Sequence, residues 1–485
     1  MLSASPARIA ADLRVLVEDI GVRLAGTPVE AAAADLVRRA ATDIGADAWD
    51  ETFPVRARAV SEEQLEIRIG ETWRAYPCSL FSSTPGTDGQ WRTADIVVLT
   101  PTDYQRDDLS YVRGKAVIHL GCHIESRAAY ARLMAAQPAF LLMVDTRYPG
   151  ATPLADGMFP AYTAAIGAVP TLNVAHQDAW QWVVDGATAA RCRVVGGMVP
   201  ATSQNVVIDL PGTDKADEIL YASAHHDTQA GSPGADDNGS GVVGVMELAR
   251  LLAPRARRRT VRLISFGAEE QLSVGSAAYV RAHRDEVSSR GRCMYNLDSY
   301  GSPLGWLQVY VNAHPDFETS FRPYFRGEGM YYQTVTAVVP YADHFPFIAA
   351  GLPGAFHYRV NCDGGRFFHH RPDDDLSRVS ASVIARDISA VATWLDAMAC
   401  ADALPFTPSI PDAQRAEVAA GQVAVARVGT EEGVVEEARV LPQRMALAPS
   451  TGHGRGQRVA GLRHRRRRLR ASGLRAALRH QQLQL

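Results

Sequence analysis

The chain has 485 residues, a formal net charge of −3 and 47% hydrophobic residues, which is enough for two or three domains with hydrophobic cores. Six cysteines are spread along it without a Cys-x-x-Cys pair, which excludes a zinc ribbon and a dense disulfide framework. The chain begins without an apolar signal core, and no run reaches the roughly 18 apolar residues of a membrane span. We therefore expect a soluble cytoplasmic protein with no membrane partner.

The N-terminal region, residues 1–57, predicts two amphipathic helices. Apolar residues recur at helical spacing over 9–20 and again over 36–44, with a turn at Gly26-Thr27-Pro28 between them.

The middle region, residues 60–199, has a different texture of short apolar runs typical of strands, such as 140–144. It holds no coherent set of metal ligands. His119, Cys122 and His123 could suggest a metal, but core and loop packing is the preferred interpretation.

The second half alternates apolar strand patterns with helical patterns, which predicts an α/β core with a mostly parallel sheet flanked by helices. Polar side chains follow three of the strands. They are His225 after 219–224, Glu269 and Glu270 after 260–266, and Asp298 after 292–297. Strand ends of this kind face a crevice, and these residue types bind divalent zinc.

Asp237 lies where a helical pattern begins, just before Asn238 and Gly239. A carboxylate has two oxygens to offer two cations, so Asp237 is the natural candidate for a bridging ligand. The alternative is that Asp236, Asp237 and Asn238 only cap the helix.

Adjacent carboxylates at a strand end point in different directions, so Glu269 and Glu270 are expected to have different roles. We assign Glu270 as a metal ligand and Glu269 as the general base. In His225-x-Asp227, the aspartate could accept the second ring N–H of His225 and fix its tautomer. Either His369 or His370 can close the site. The set is what hydrolysis by two metals requires.

These blocks resemble the co-catalytic zinc aminopeptidase family, which also contains plasma glutamate carboxypeptidase and the glutaminyl cyclases. The matching blocks are Ser203-Gln204-Asn205-Val206, His225-His226-Asp227, Gly234-Ala235-Asp236-Asp237-Asn238-Gly239, Phe266-Gly267-Ala268-Glu269-Glu270, Asn296-Leu297-Asp298, Asp343-His344-Phe345-Pro346-Phe347 and His370-x-x-x-Asp374.

The resemblance implies two zinc ions bridged by Asp237, and it selects His370 as the last ligand. His225 and Asp298 would bind one ion, and Glu270 and His370 the other, with Glu269 as base. His369 stands where the family often has a tyrosine that steadies the oxyanion, and an imidazole could donate the same hydrogen bond.

The resemblance also implies the domain organisation. Residues 1–57 and 200–406 would form the peptidase domain, and 60–199 a smaller inserted α/β domain similar to the protease-associated domain. Residues 407–485 are expected to be a disordered tail. Ten arginines without any lysine or acid lie in 451–485, which could bind nucleic acid, but we expect no nucleic-acid partner.

The expected function is that of a zinc exopeptidase acting on peptides, with aminopeptidase preferred over carboxypeptidase or dipeptidase. Arg359 and Arg366 either hold a substrate carboxylate or are surface charges. A glutaminyl cyclase-like transferase would need a shorter chain with a single zinc. A non-catalytic homologue would have lost ligands, and this sequence keeps all five.

Overall fold

The strands of the computed structural model, which describes residues 1–124, 126–362 and 365–425, join in one mixed sheet. The strands are β1 (Asp47–Ile69), β2 (Thr72–Tyr76), β3 (Cys78–Leu80), β4 (Arg92–Leu99), β5 (Ala116–Leu120), β6 (Phe140–Val144), β7 (Thr171–Val174), β8 (Ala189–Leu210), β9 (Lys215–His225), β10 (Arg259–Phe266), β11 (Gly291–Leu297), β12 (Trp306–Asn312), β13 (Tyr332–Val335) and β14 (Gly354–Val360). Their order across the sheet is β13-β12-β14-β11-β9-β10-β8-β4-β5-β6-β7-β3, and β1 pairs with β8 and β2.

The helices cover both halves of the chain. They are α1 (Pro6–Arg14), α2 (Pro28–Thr42), α3 (Arg127–Ala135), α4 (Pro160–Ile166), α5 (His176–Val184), α6 (Ser240–Leu252), α7 (Val274–Ala282), α8 (Arg284–Arg290), α9 (Pro315–Gly327), α10 (Phe345–Ala349), α11 (Ala381–Cys400) and α12 (Asp412–Val425). A wider helical turn, Val15–Ile20, continues α1. The two helices predicted near the N-terminus are therefore present, and Thr27 caps the second by accepting the N–H of Glu30 at 3.3 Å.

The centre of the second half is a parallel arrangement in which β9 lies between β10 and β11, and β14 runs parallel to β11. Helices α1, α2, α6 and α11 contribute to the main apolar cluster on one face of these strands. Helices α7, α8 and α10 contribute Tyr279, Val287 and Phe347 to a second cluster. The predicted α/β fold, with helices flanking a large central sheet, is confirmed.

The middle region contributes the parallel strands β4, β5, β6 and β7 and two apolar clusters of its own. Its sheet is continuous with that of the second half because β1 and β8, paired from Asp47 to Arg68, run through both. All described residues belong to one compact unit. The division at 57/60 and 199/200 into a peptidase domain and a protease-associated-like insert therefore stays a prediction.

The prediction that a disordered tail starts at residue 407 is wrong at its beginning, because Asp412–Val425 form helix α12. Ile410 and Val418 are buried against Phe345 and Ile348 of α10. The rest of the expected tail, from 426 onward, lies outside the described residues. Within the described residues, no helix is both long and apolar enough to cross a membrane.

The packing of α12 on α10 predicts that Val418→Ala lowers the free energy of unfolding by about 1–2 kcal/mol, because two buried methyl groups are removed at about 0.8 kcal/mol each. Thermal unfolding of the full chain measures the change. Glu417→Ala, one residue earlier and exposed, should stay within about 0.5 kcal/mol of the original chain. Equal effects of the two substitutions would contradict the packing.

Candidate metal centre

Three of the predicted ligands and the predicted base lie at one edge of the sheet because neighbouring parallel strands end together. His225 is the last residue of β9 and is aligned with Phe266, the last residue of β10. Glu269 and Glu270 follow β10 in a short turn. Asp298 follows β11, and its N–H donates to the carbonyl of His357 on β14 at 3.1 Å.

The carboxylate of Asp237 lies between two imidazoles. Its Oδ1 is 3.3 Å from Nε2 of His225, and its Oδ2 is 3.4 Å from Nε2 of His370. Asp298 Oδ1 lies 3.6 Å from the same nitrogen of His225, whereas Glu270 Oε2 lies 2.9 Å from the same nitrogen of His370. The five predicted ligands thus divide into two groups that share Asp237.

These groups fit a metal ion. Zinc bonds of about 2.0–2.2 Å in a tetrahedral site place neighbouring ligand atoms roughly 3.3–3.6 Å apart, close to the separations at Asp237. Nε2 of His225 is buried and makes no hydrogen bond to a described residue, although three carboxylates lie within 3.8 Å of it. A nitrogen placed this way is suited to donate its lone pair to a cation.

The electrostatics of the site also favour a cation. Burial raises the pKa of Glu269 well above its ordinary value, and the charges of Asp343 and Glu270 add to the effect against the opposing charge of His225. Burial alone would lower the pKa of His225, but the surrounding carboxylates, Glu269 foremost, outweigh it and raise that pKa. A bound cation would offset this crowding and favour charged carboxylates with neutral imidazoles.

Asp227 holds the turn that carries the two glutamates. Its two carboxylate oxygens accept the backbone N–H groups of Glu269 and Glu270 at 2.9 and 3.1 Å. Nδ1 of His225 lies 3.5 Å from Asp227 Oδ1 and 3.3 Å from its carbonyl oxygen. The hydrogen bond of His225 thus goes to the Asp227 carbonyl oxygen, and the carboxylate that was expected to accept it instead makes a bidentate backbone contact that the sequence did not indicate.

Asp374 plays the same part for the loop that carries Asp237. Its two oxygens accept the N–H groups of Asp236 and Asp237 at 2.9 and 3.0 Å. The acidic position four residues after His370 was visible in the sequence, but its partners lie more than 130 residues away. Gly234 begins this loop at φ +59° with no room for a side chain, since a Cβ would meet the carbonyl oxygen of Asp237.

Glu30 on α2 is a third buried carboxylate that contacts this edge, and sequence reasoning missed it. It accepts hydrogen bonds from the N–H of Ala268 at 3.2 Å and from Oγ of Ser203 at 2.7 Å. Burial raises its pKa to about 8. Because Ala268 directly precedes Glu269, the N-terminal helix supports the turn that carries the predicted base.

His369 lies beside His370, with their ring centroids 3.4 Å apart. Its Nδ1 is 3.1 Å from Asp237 Oδ2 and accepts a hydrogen bond from Arg366 at 2.5 Å. Only His370 also lies beside Glu270. The geometry is compatible with the predicted choice of His370 as ligand and leaves His369 next to the site.

Neither Arg359 nor Arg366 is a surface charge, so that alternative is wrong for both. Arg359 is buried and donates to Asp387 at 3.0 Å and to the carbonyl of Tyr300 at 3.1 Å, which is a structural role. Arg366 is buried in the centre itself, where it donates to Asp237 and Asp298.

The middle region also reaches the centre. The N–H of Ala155 donates to the carbonyl of His370 at 3.0 Å, and the ring of Tyr148 lies 5.6 Å from that of His369.

Within the middle region, His119 is hydrogen-bonded to Tyr104 at 3.1 Å. Among the described residues, groups of three with ligand spacing occur around Asp237 and not at 119–123. The preferred packing interpretation of His119, Cys122 and His123 is consistent with this.

The strand ends of this α/β sheet gather buried imidazoles and carboxylates, the residue types that metal-dependent hydrolases use. Comparison with protein families matches residues 205–395 to peptidase family M28. Aminopeptidase YwaD of Bacillus subtilis is 26% identical over 379 residues, which cover 75% of this chain and 78% of that protein. Leupeptin-inactivating enzyme 1 of Streptomyces exfoliatus is 30% identical over 211 residues, covering 40% of this chain and 48% of the enzyme.

Solved structures agree on the fold. The crystal structure of BSAP, a zinc aminopeptidase from Bacillus subtilis, superposes with a TM-score of 0.69 at 21% identity, covering 85% of this chain and 99% of that one. The M28 peptidase precursor of Shewanella amazonensis gives 0.68 at 19% identity, covering 83% and 95%. The match of residues 205–395 to peptidase family M28 and the similarity to an aminopeptidase over most of the chain make this protein a metallo-exopeptidase.

The contacts of Asp374 predict that Asp374→Ala loosens the Asp237 loop. Two buried N–H groups would lose their acceptors at about 1–3 kcal/mol each, so the variant should unfold at a lower temperature and retain less zinc on dialysis. Asp375→Ala is the control, because the Asp375 carboxylate accepts from Ser377 instead. Unchanged stability and zinc content in Asp374→Ala would rule out this role.

Proposed function

We propose that this chain is an aminopeptidase with two zinc ions. His225 and Asp298 would hold one ion, Glu270 and His370 the other, and Asp237 both. The observation that carries the proposal is the position of Asp237, whose two oxygens face two different imidazoles at 3.3 and 3.4 Å. Capping a helix would not require the carboxylate of Asp237 to lie between two histidines.

The bound zinc ions would supply Lewis acidity, which polarises the peptide carbonyl and makes a water easier to deprotonate. Glu269 belongs to neither ligand group, and its carboxylate lies 3.8 Å from Nε2 of His225. It accepts the proton of the attacking water and returns that proton to the leaving amine. Asp227 keeps it in place through the backbone N–H of Glu269.

His369 would stabilise the oxyanion of the tetrahedral intermediate by donating a hydrogen bond to it. Nδ1 of His369 lies 2.5 Å from Arg366, which can only donate, and 3.1 Å from Oδ2 of Asp237, which can only accept. If Nδ1 accepts from Arg366, a neutral ring carries its proton on Nε2, as a hydrogen-bond donor to the oxyanion requires. Burial, together with the charges of His370 and Arg366, lowers the pKa of His369 well below its ordinary value and so favours the neutral ring.

The charges of the side chains at the centre support an aminopeptidase over a carboxypeptidase or a dipeptidase. Buried carboxylates dominate the centre and suit the α-ammonium group of a peptide. Arg366, the arginine that could take a substrate carboxylate, is engaged by Asp237 and Asp298. YwaD, which is similar over 75% of this chain, is named an aminopeptidase. A cytoplasmic location and a protease-associated middle domain remain part of the proposal.

Glu269→Gln tests the mechanism. Turnover should fall at least about a hundredfold, the lower range for general-base catalysis, while the zinc content stays unchanged because the amide keeps the shape. Asp237→Ala should instead lose zinc together with activity. Zinc per chain and peptide hydrolysis are measured on both variants and on the original chain. Full activity in Glu269→Gln would end this mechanism.

A substrate panel tests the specificity. Peptides with a free α-amino group should be cleaved at the first bond, and acetylation of that group should abolish cleavage. Amidation of the C-terminus should have little effect, because a carboxylate is not the recognised end. Cleavage that survives acetylation but requires a free C-terminus would instead assign a carboxypeptidase.

A further inference from the structure

We propose that four exposed apolar side chains near the metal centre form a secondary binding site for long peptide substrates. They are Leu304, Trp306, Tyr331 and Phe367, and together they make up the apolar rim. The rim holds an uncharged, apolar segment of the peptide, downstream of the bond that is cleaved. The inference rests on the proposed function, because it takes the amino end of the peptide to lie at the metal centre.

The side chains of the rim are open to solvent. Tyr331 is 81% exposed, Leu304 79%, Trp306 46% and Phe367 39%. Single exposed apolar residues are normal on a protein surface, whereas several gathered in one place are typical of an interaction site. The rim therefore has the character of a surface that a partner covers.

Strand register brings Trp306 and Tyr331 together. Gln308 of β12 is aligned with Gln333 of β13, and their side-chain amides are hydrogen-bonded at 3.1 Å. Side chains two residues apart on a strand lie on the same face, so Trp306 and Tyr331, each two residues earlier, share the face of the two amides. These amides carry no formal charge, so the surface suits an apolar segment better than an acidic or a basic one.

The rim lies at the same edge of the sheet as the metal centre. Strand β14 runs parallel to β11 and through it to β9, whereas β12 runs antiparallel to β14, with Trp306 aligned with Val360. Strand β13 runs parallel to β12. The first residues of β12 and β13 therefore lie at the edge where His225 ends β9.

Asn361, which directly follows β14, connects the rim to the metal centre. Its side chain donates to Oγ of Ser302 at 3.3 Å and accepts the N–H of Phe367 at 2.7 Å. Oγ of Ser302 donates to the carbonyl of Leu304 at 2.8 Å. Asn361 also lines a small cavity together with Asp237. The segments that carry Leu304 and Phe367 are thus fastened to a residue of the cavity at the centre.

The spacing of the strands sets the length of peptide that can reach the rim. Strand β12 lies three strands from β9, and β13 lies four strands from it. At about 4.8 Å per strand, the separation is about 14–19 Å. An extended peptide covers roughly 3.3–3.6 Å per residue, so about four to six residues span this distance. A dipeptide cannot reach the rim, and the preferred substrates are peptides of about six residues or more with apolar residues beyond the fourth.

The experiment measures the initial release of the first amino acid from a dipeptide and from two octapeptides that share its two residues. The last four residues are apolar in one octapeptide and serine in the other. For the original chain, KM should be about threefold to thirtyfold lower for the apolar octapeptide, with kcat unchanged. Contacts made far from the reacting bond stabilise the ground state and the transition state alike, which changes KM only.

Trp306→Ser and Tyr331→Ser should each remove most of this difference and leave dipeptide cleavage unchanged. Tyr331 is so exposed that its replacement keeps the fold, which thermal unfolding checks. Trp180→Ser is the matched control and should keep the full difference. Trp180 is 56% exposed on α5, which follows β7 near the opposite end of the sheet.

The inference is overturned if the original chain cleaves both octapeptides with equal KM, or if both rim variants keep the difference. It is also overturned if Trp306→Ser alters the oligomeric state in solution without altering the difference, because the rim would then bind a second copy of the chain. Cleavage of the dipeptide without any octapeptide preference overturns the rim alone. A chain that cleaves none of the three peptides overturns the proposed function together with the rim.

Discussion

The rest of this structure depends on several carboxylates that are buried close together. Asp237, Glu269, Glu270 and Asp298 are all largely removed from water where the loops that follow adjacent strands meet. Carboxylates in such a medium repel one another and lose their hydration, which is expensive unless cations compensate. Metal binding would therefore contribute to the stability of the folded chain as well as to catalysis.

The backbone of the two metal-facing loops is fastened by further carboxylates that do not themselves face the metal positions. Asp227 accepts two consecutive N–H groups from one loop, and Asp374 accepts two from the other. Each carboxylate satisfies donors that regular secondary structure leaves unpaired, so its charge is stabilised where it lies. The result is that the backbone carrying the predicted ligands is held in place by protein contacts alone.

Segments far away in the chain complete the centre. Glu30 in the N-terminal helix supports the turn before Glu269, and Ala155 of the middle region donates to the carbonyl of His370. Arg366 brings a permanent positive charge into the same place. The chemistry of the site therefore depends on all parts of the described chain, including those without ligands.

The sequence by itself indicated the strands that end at the centre, the helices that follow them and the candidate ligands, because apolar periodicity and the residues that follow a strand are local properties. His225 and Asp298 could be placed at strand ends without any tertiary information. Only the tertiary structure decided that Arg366 is buried between two of those candidate ligands, that Asp374 binds the Asp237 loop, and that α12 continues the fold beyond 407. Each of these depends on a contact between segments more than 50 residues apart. Local pattern carries no information about such contacts, since the free energy that selects them arises only when the segments pack together.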